Sequence, residues 1–117
     1  MALILIVEDE LAQRVLYGEL IDVMGHEHIV ASNAVAGLRL AKSSLPDIIV
    51  TDINMPEMNG EEFLRALKAD PETNDIPVIA LTGLTRDRQH FIDMGFVDYL
   101  MKPVTLPYMA RIINIHL

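Results

Sequence analysis

The sequence predicts an α/β fold in which five parallel strands form one doubly wound sheet with helices on both faces. Short apolar runs alternate with helix-length amphipathic segments, as expected when each strand is followed by a helical crossover. The first, third and fourth runs are continuously apolar, as in central strands that are covered on both faces. The 117 residues suit a single domain over residues 1–117, and no repeat or linker divides them.

The predicted strands are short and mainly apolar. The first runs straight into three acidic residues, so it is interpreted as a strand rather than as a signal peptide or a membrane anchor. The fifth contains Asp98, which indicates a strand at the edge of the sheet. The five predicted strands are residues 3–7, 28–31, 48–51, 77–81 and 97–101.

The predicted helices are bounded by capping and stop signals. Asn33 is expected to cap the second helix, and Thr105 the fifth, with Pro107 in its first turn. The five predicted helices cover residues about 10–24, 33 to just before 45, about 61–69, 86–94, and 105 onward. In the first helix, six apolar residues are predicted to lie on one side: Leu11, Val15, Leu16, Leu20, Val23 and Met24.

The charge balance and the lack of cysteine exclude several function classes. Nine Lys and Arg against seventeen Asp and Glu give a net charge of −8, which repels phosphate backbones and anionic lipid. We therefore expect no direct binding of nucleic acid and none of membranes. Without cysteine there are no disulfides, Cys-ligated zinc sites or iron–sulfur clusters, and a reducing intracellular compartment fits.

Polar side chains stand at the ends of four of the predicted strands. Glu8 and Asp9 follow the first strand, Asp52 the third, Thr82 the fourth and Lys102 the fifth. Because ligands of doubly wound sheets bind beyond the carboxyl ends of the strands, these side chains should converge. Clustered carboxylates repel one another, and a hard divalent cation such as Mg²⁺ would relieve that cost. Asp52 could then act as a nucleophile that forms an acyl phosphate, with Lys102 and Thr82 facing the phosphoryl charge.

Each of these five residues has an ordinary structural explanation when it is taken alone. Acidic residues suit helix N-termini, Asp suits a turn after a strand, Thr suits a strand, and a Lys is commonly a solvated cation. The combination at the ends of four of the five strands is harder to explain in this way, so one shared site is the favoured interpretation.

Four segments carry a resemblance to a known family. They are ILIVEDE at residues 4–10, TDINMPEMNG at 51–60, VIALTG at 78–83 and DYLMKP at 98–103. With these segments in order, essentially the whole chain resembles the receiver domains of two-component response regulators, of the chemotaxis-regulator type. The resemblance implies the flavodoxin-like strand order 2-1-3-4-5.

By position, the resemblance makes Asp52 the residue that accepts a phosphoryl group. Mg²⁺, or Mn²⁺ in its place, would be held by the side chains of Asp9 and Asp52 and by the backbone carbonyl of Asn54. Glu8 would reach the metal through a bound water, and Lys102 would contact the phosphoryl group. The chain would catalyse only its own phosphorylation and dephosphorylation, so it is not expected to be an enzyme acting on other substrates.

The resemblance also implies a conformational switch and a set of partners. Thr82 would be the switch hydroxyl, Tyr99 the switch aromatic residue, and the Lys102-Pro103 peptide bond would be cis. A sensor histidine kinase or a histidine phosphotransfer protein would donate the phosphoryl group. The face formed by the fourth helix, the fifth strand and the fifth helix would bind a downstream protein. We expect a cytoplasmic monomer, or a weak dimer that depends on phosphorylation.

Two features depart from the family pattern. Glu8 stands where Asp is frequent, and the segment between Thr82 and Gly95 is shorter than usual. The resemblance also implies that the residues two beyond Asp52 and two beyond Thr82, here Asn54 and Leu84, tune the lifetime of the phosphoryl group, and Leu84 cannot orient water. We therefore expect a longer-lived acyl phosphate than in relatives with a polar residue there.

Other function classes fit less well. An aspartate-nucleophile phosphatase would have a second carboxylic acid where Asn54 stands, and no glycine pattern forms the phosphate loop of a flavodoxin-type carrier. A calcium loop that starts at Asp52 would need a closing Glu where Phe63 stands. The remaining alternative is a degenerate receiver that binds a partner protein without being phosphorylated.

Overall fold

In the computed structural model, which describes residues 1–83 and 88–117, five strands alternate with five helices. They are β1 (Leu3–Val7), α1 (Leu11–Val23), β2 (Glu27–Ala31), α2 (Ala34–Ser44), β3 (Ile48–Asp52), α3 (Gly60–Ala69), β4 (Val78–Thr82), α4 (Arg88–Met94), β5 (Asp98–Met101) and α5 (Leu106–Ile115). The sheet has the order β2-β1-β3-β4-β5, and all neighbouring strands are parallel. The predicted fold class and strand order are therefore confirmed. Within the described residues, no helix has the length and apolar character needed to cross a bilayer.

The sheet separates two apolar layers, because successive strand residues point to opposite faces. Ile4 and Ile6 of β1 face a layer that contains α1 and α5. Leu5 and Val7 face the other layer, which contains α2, α3 and α4. In β3 and β4, polar residues occur only at the carboxyl ends. Burial on both faces thus leaves one edge of the sheet for polar chemistry.

The element boundaries lie within a residue or two of the predicted ones. β3 extends to Asp52 and β4 to Thr82, so both are the last residues of strands rather than residues that follow them. Two further predicted positions, Arg86 at the start of the fourth helix and Leu84, lie outside the described residues, and α4 is described from Arg88 onward.

The helix caps follow the predicted signals with one exception. The Asn33 side chain accepts a hydrogen bond from the Ala36 N–H at 2.8 Å, as predicted for α2. Thr105 occupies the N-cap of α5, but its side chain makes no capping hydrogen bond. The sequence interpretation missed the cap of α3, where Asn59 and Glu62 exchange side-chain and backbone hydrogen bonds in a capping box.

Four of the six apolar residues predicted to lie on one side of α1 do not face the core. The buried residues of α1 are Tyr17, Gly18 and Ile21. A Cβ at position 18 would lie 2.7 Å from Nε2 of His28 on β2, so the missing side chain lets this side of α1 approach the strand. The four apolar residues that do not face the core are 45–69% exposed: Leu11, Val15, Leu16 and Val23. α1 thus presents an apolar side to solvent, as binding surfaces do.

Leu45, which follows α2, offers a test of local backbone strain. It has a left-handed φ of 46° and is 57% exposed, so its side chain is a poor match for its backbone. We expect Leu45→Asn to raise the free energy of unfolding by about 0.5–1 kcal/mol, measured by urea denaturation. The matched control is Leu11→Asn, an exposed leucine in a helix, where Asn should give no gain. Equal effects at the two positions would contradict the strain argument.

Candidate functional site

The carboxyl ends of four strands gather the predicted site residues at one edge of the sheet. Asp52 ends β3, Thr82 ends β4, Glu8 and Asp9 follow β1, and Lys102 follows β5. The strands are parallel and in register, with Asp52 opposite Leu81 and Thr82 opposite Met101 in the neighbouring strand, so their ends lie side by side. The expected convergence therefore follows from the topology.

Three carboxylates form the centre of this edge. One oxygen from each of Glu8, Asp9 and Asp52 lies within 4.8 Å of the others. Glu8 is 1% exposed and Asp52 6% exposed, whereas Asp9 is exposed to solvent. Carboxylate oxygens are the donors that Mg²⁺ prefers, and an open side allows it to keep several waters. The donor set present here therefore fits a hard divalent cation.

Lys102 bridges two of the three carboxylates. Its Nζ lies 3.2 Å from Oδ2 of Asp52 and 3.4 Å from Oε2 of Glu8. Burial lowers the pKa of Lys102, but Asp52 and Glu8 outweigh it and hold the pKa above its ordinary value. The site therefore contains an ammonium that stays charged, next to the carboxylate of Asp52.

Glu8 is the carboxyl group most strongly perturbed by this arrangement. Burial and the negative charge of Asp52 raise the pKa of Glu8 from 4.5 to about 7, against the opposing effect of Lys102. Tyr17 lies nearby on the buried side of α1, and its pKa is raised by burial and then by Glu8 and Asp52. A second cation at this edge would relieve the repulsion between the carboxylates.

Hydrogen bonds to backbone groups hold the segments that follow β1 and β3. The Asn54 N–H donates to Oδ1 of Asp52 at 3.4 Å, and the Glu10 N–H donates to Oε1 of Glu8 at 3.3 Å. Arg14 Nη1 donates to the backbone carbonyl oxygens of Glu8 and Asp9, at 2.9 and 3.0 Å. The sequence interpretation missed Arg14, for which the only signal was a cation one helical turn beyond the acidic residues.

Gly60 is a second residue that the sequence interpretation missed. A Cβ at this position would lie 2.5 Å from the carbonyl oxygen of Asp52 and 2.9 Å from Cα of Ile53. The Gly60 N–H also donates to the Ile53 carbonyl at 2.9 Å. The first turn of α3 thus rests directly on the backbone of Asp52, and only glycine permits this approach.

The remaining predicted residues lie on β4, β5 and the segment that follows. Thr82 is buried at the end of β4, and Asn54 is exposed in the loop after β3. Tyr99 is half-buried on β5, where its ring stacks on Phe91 of α4. The Lys102-Pro103 peptide bond is cis. The structure thus brings the acidic residues and the lysine together, while Tyr99 lies on the α4 side of β5.

The arrangement suits chemistry on an anionic group that approaches Asp52. A carboxylate in contact with an ammonium can attack an electrophilic phosphorus atom, because fixed positive charge stabilises the negative charge carried by the phosphoryl oxygens.

The family model of the response regulator receiver domain matches residues 4–114. Among curated proteins, the polar-differentiation response regulator DivK of Brucella anthropi is 35% identical over 116 residues, which cover 97% of this chain and 94% of DivK. Among solved structures, chemotaxis protein CheY4 of Vibrio cholerae is 27% identical with a TM-score of 0.93, over 100% of this chain and 99% of CheY4.

A second solved structure is the receiver domain of the sensor histidine kinase PA1611 from Pseudomonas aeruginosa, which has a magnesium ion in its active site cleft. It is 26% identical with a TM-score of 0.89, over 98% of this chain and 96% of that chain. The family model covers Lys102 and the acidic edge, which is formed by Glu8, Asp9 and Asp52. It also covers all five strands except for Leu3, the first residue of β1. The chain therefore belongs to the family of response regulator receiver domains.

Proposed function

We propose that this chain accepts a phosphoryl group on Asp52 from a phosphohistidine of a sensor histidine kinase or a histidine phosphotransfer protein. The observation that carries the proposal is the position of Asp52 at the carboxyl edge of the sheet, 3.2 Å from the Lys102 ammonium and beside two further carboxylates. An Asp52 oxygen forms the new bond to phosphorus. The phosphorus–nitrogen bond of the donor breaks, and the imidazole that leaves takes up a proton.

The residues around Asp52 have separate tasks in this reaction. The Asn54 N–H orients the carboxylate through Oδ1, and Lys102 places its positive charge where the phosphoryl oxygens arrive. Asp9 and Asp52, with the Asn54 carbonyl and with Glu8 through a water, are the proposed holders of Mg²⁺ or Mn²⁺. When bound, the ion neutralises charge on the transferring phosphoryl group. The magnesium in the active site cleft of the PA1611 receiver domain supports this assignment.

The exposed apolar side of α1 supports a protein as the phosphodonor. Leu16 of this side also lines a cleft of about 400 Å³ between α1 and the segment after β5, and Lys102 and Pro103 line the same cleft. A donor that covers these apolar side chains would bring its phosphohistidine to the edge that holds Asp52. A small phosphodonor needs no such surface, so this surface concerns recognition rather than chemistry.

Phosphorylation is proposed to change the face formed by α4, β5 and α5. Thr82 would respond to the phosphoryl group and Tyr99 would follow, which alters the surface offered to a downstream protein. A cytoplasmic location, and a monomer or weak phosphorylation-dependent dimer, stay predictions from the family. The second candidate function is a degenerate receiver that binds its partner without a phosphoryl group, favoured only if Asp52 cannot be modified.

The test is an intact-mass measurement after incubation with acetyl phosphate and Mg²⁺. We expect the mass to rise by one phosphoryl group, and to stay unchanged in Asp52→Asn or when EDTA removes the metal. Asp75→Asn is the matched control, because Asp75 is an exposed aspartate outside the acidic edge, and this variant should be modified like the wild type. A wild type that gains no mass with any phosphodonor would instead support the degenerate receiver.

A further inference from the structure

Tyr99 is held by an aromatic residue that the sequence analysis did not single out. The Tyr99 ring stacks on the Phe91 ring of α4, with centroids 5.2 Å apart and planes inclined by 26°. Phe91 also meets Phe96 edge-on, at 6.2 Å and 73°. Stacked and edge-on geometries are the favoured ones for aromatic pairs, so Phe91 makes a specific contact with each neighbour.

The backbone of Tyr99 is fixed, so only its side chain is free to move. Tyr99 lies opposite Ala80 in the parallel pairing of β4 and β5. Its N–H donates at 2.8 Å to the buried carboxylate of Asp98, which also contacts His116 at 2.9 Å and Arg88 at 3.4 Å. A change of rotamer about the first side-chain bond of Tyr99 moves the ring away from Phe91 and breaks the stack.

Phe91 is also the anchor of α4. Among the seven described residues of this helix, Arg88–Met94, Phe91 is the one that is buried. The partner of Tyr99 and the main attachment of α4 to the apolar layer are therefore the same side chain. The Tyr99 ring is thus in direct contact with the residue that attaches α4 to the sheet.

We propose that Phe91 is the positioning residue for Tyr99: its ring holds Tyr99 in the resting rotamer and transmits the movement of Tyr99 to α4. This inference rests on the proposed function, in which Tyr99 responds to phosphorylation of Asp52. The stack stabilises one rotamer, so its removal shifts the ratio of Tyr99 rotamers by about two- to tenfold.

The test measures the rotamer of Tyr99 by NMR, from the three-bond couplings of its Cγ to the backbone nitrogen and carbonyl carbon. These couplings report the side-chain torsion and are not altered by loss of a neighbouring ring current. Phe91→Leu removes the ring and keeps the position apolar, and Phe91→Met serves if the leucine variant does not fold. Phe96→Leu is the matched control, since Phe96 is equally buried in the same layer. Phe91→Tyr retains a ring for stacking.

In the unmodified protein, we expect Phe91→Leu to shift the Tyr99 rotamer ratio by about two- to tenfold, while Phe96→Leu and Phe91→Tyr match the wild type. Unchanged rotamers in Phe91→Leu, or an equal shift in Phe96→Leu, overturn the proposal. The couplings are then measured after acetyl phosphate and Mg²⁺ have been added, with the mass gain checked on the same sample. A mass gain with a Tyr99 response but with unchanged backbone amide shifts in Arg88–Met94 overturns the transmission to α4. Absence of the mass gain, or a mass gain without a Tyr99 response, is a failure of the proposed function alone.

Discussion

Glu8→Gln raises the free energy of unfolding of the metal-free protein at about pH 8 by about 1–3 kcal/mol. The reason is the pKa of Glu8, which burial and Asp52 raise from 4.5 to about 7 in the folded chain. A carboxyl whose pKa is raised by folding stabilises the folded state most below 4.5. That contribution is lost as the pH rises through about 7, because ionised Glu8 must then lie beside Asp52. Glutamine keeps the size of the side chain and removes the charge.

The measurement is urea denaturation in EDTA at about pH 5 and about pH 8. The gain from Glu8→Gln should be small at the lower pH, where folded Glu8 is already protonated. Glu10→Gln is the matched control, since Glu10 is an exposed acid two residues away and its side chain makes no capping bond. If Glu8→Gln gave the same gain in unfolding free energy at both pH values, the charge of Glu8 would not be the cause. The same conclusion would follow if Glu10→Gln gave as large a gain as Glu8→Gln.

We expect Gly60→Ala to lower the free energy of unfolding by roughly 3 kcal/mol and to slow the proposed phosphorylation of Asp52. On helix propensity alone, alanine would stabilise the first turn of α3 by about 1 kcal/mol. The sign of the change in unfolding free energy therefore tells whether helix propensity or the close approach to the Asp52 backbone dominates. The added Cβ would lie 2.5 Å from the Asp52 carbonyl oxygen and 2.9 Å from Cα of Ile53, and both are backbone atoms. The backbone that carries Asp52 must therefore move.

Urea denaturation gives the stability of Gly60→Ala, and the time course of the intact-mass gain gives its reactivity. Gly83→Ala is the matched control, because a Cβ there meets no atom within 4 Å in the described structure. If Gly60→Ala were as stable and as reactive as the wild type, the close approach of α3 to Asp52 would have no energetic role.

The acidic edge could be predicted from sequence because it depends on local signals and topology. Continuously apolar β1, β3 and β4 must be central and parallel, so the polar residues at their ends must converge. Asp9, Asp52 and Lys102 therefore lie close together at the carboxyl ends of the parallel strands, as predicted. A shift of one residue at the ends of β3 and β4 did not alter this result.

The buried side of α1 and the residues that support the site could not be predicted in the same way. A helical pattern of apolar residues does not tell whether the core or a partner covers them. The side of α1 that faces β2 is the one that contains Gly18, where an added Cβ would lie 2.7 Å from Nε2 of His28. Arg14 acts through backbone carbonyls, Gly60 through a missing atom, and Phe91 through a ring on another element. Each of these roles appears only when separate segments are brought together.

The single buried anchor of α4 has a consequence for how proteins with this architecture diverge. Most of the side chains of α4 face outward, and the chemistry at Asp52 lies at the edge of the sheet instead. Substitutions on the outer surface of this helix therefore leave the apolar layer intact. The outer surface of α4 can therefore diverge with few compensating changes in the core, and without changing the residues of the site proposed to accept the phosphoryl group.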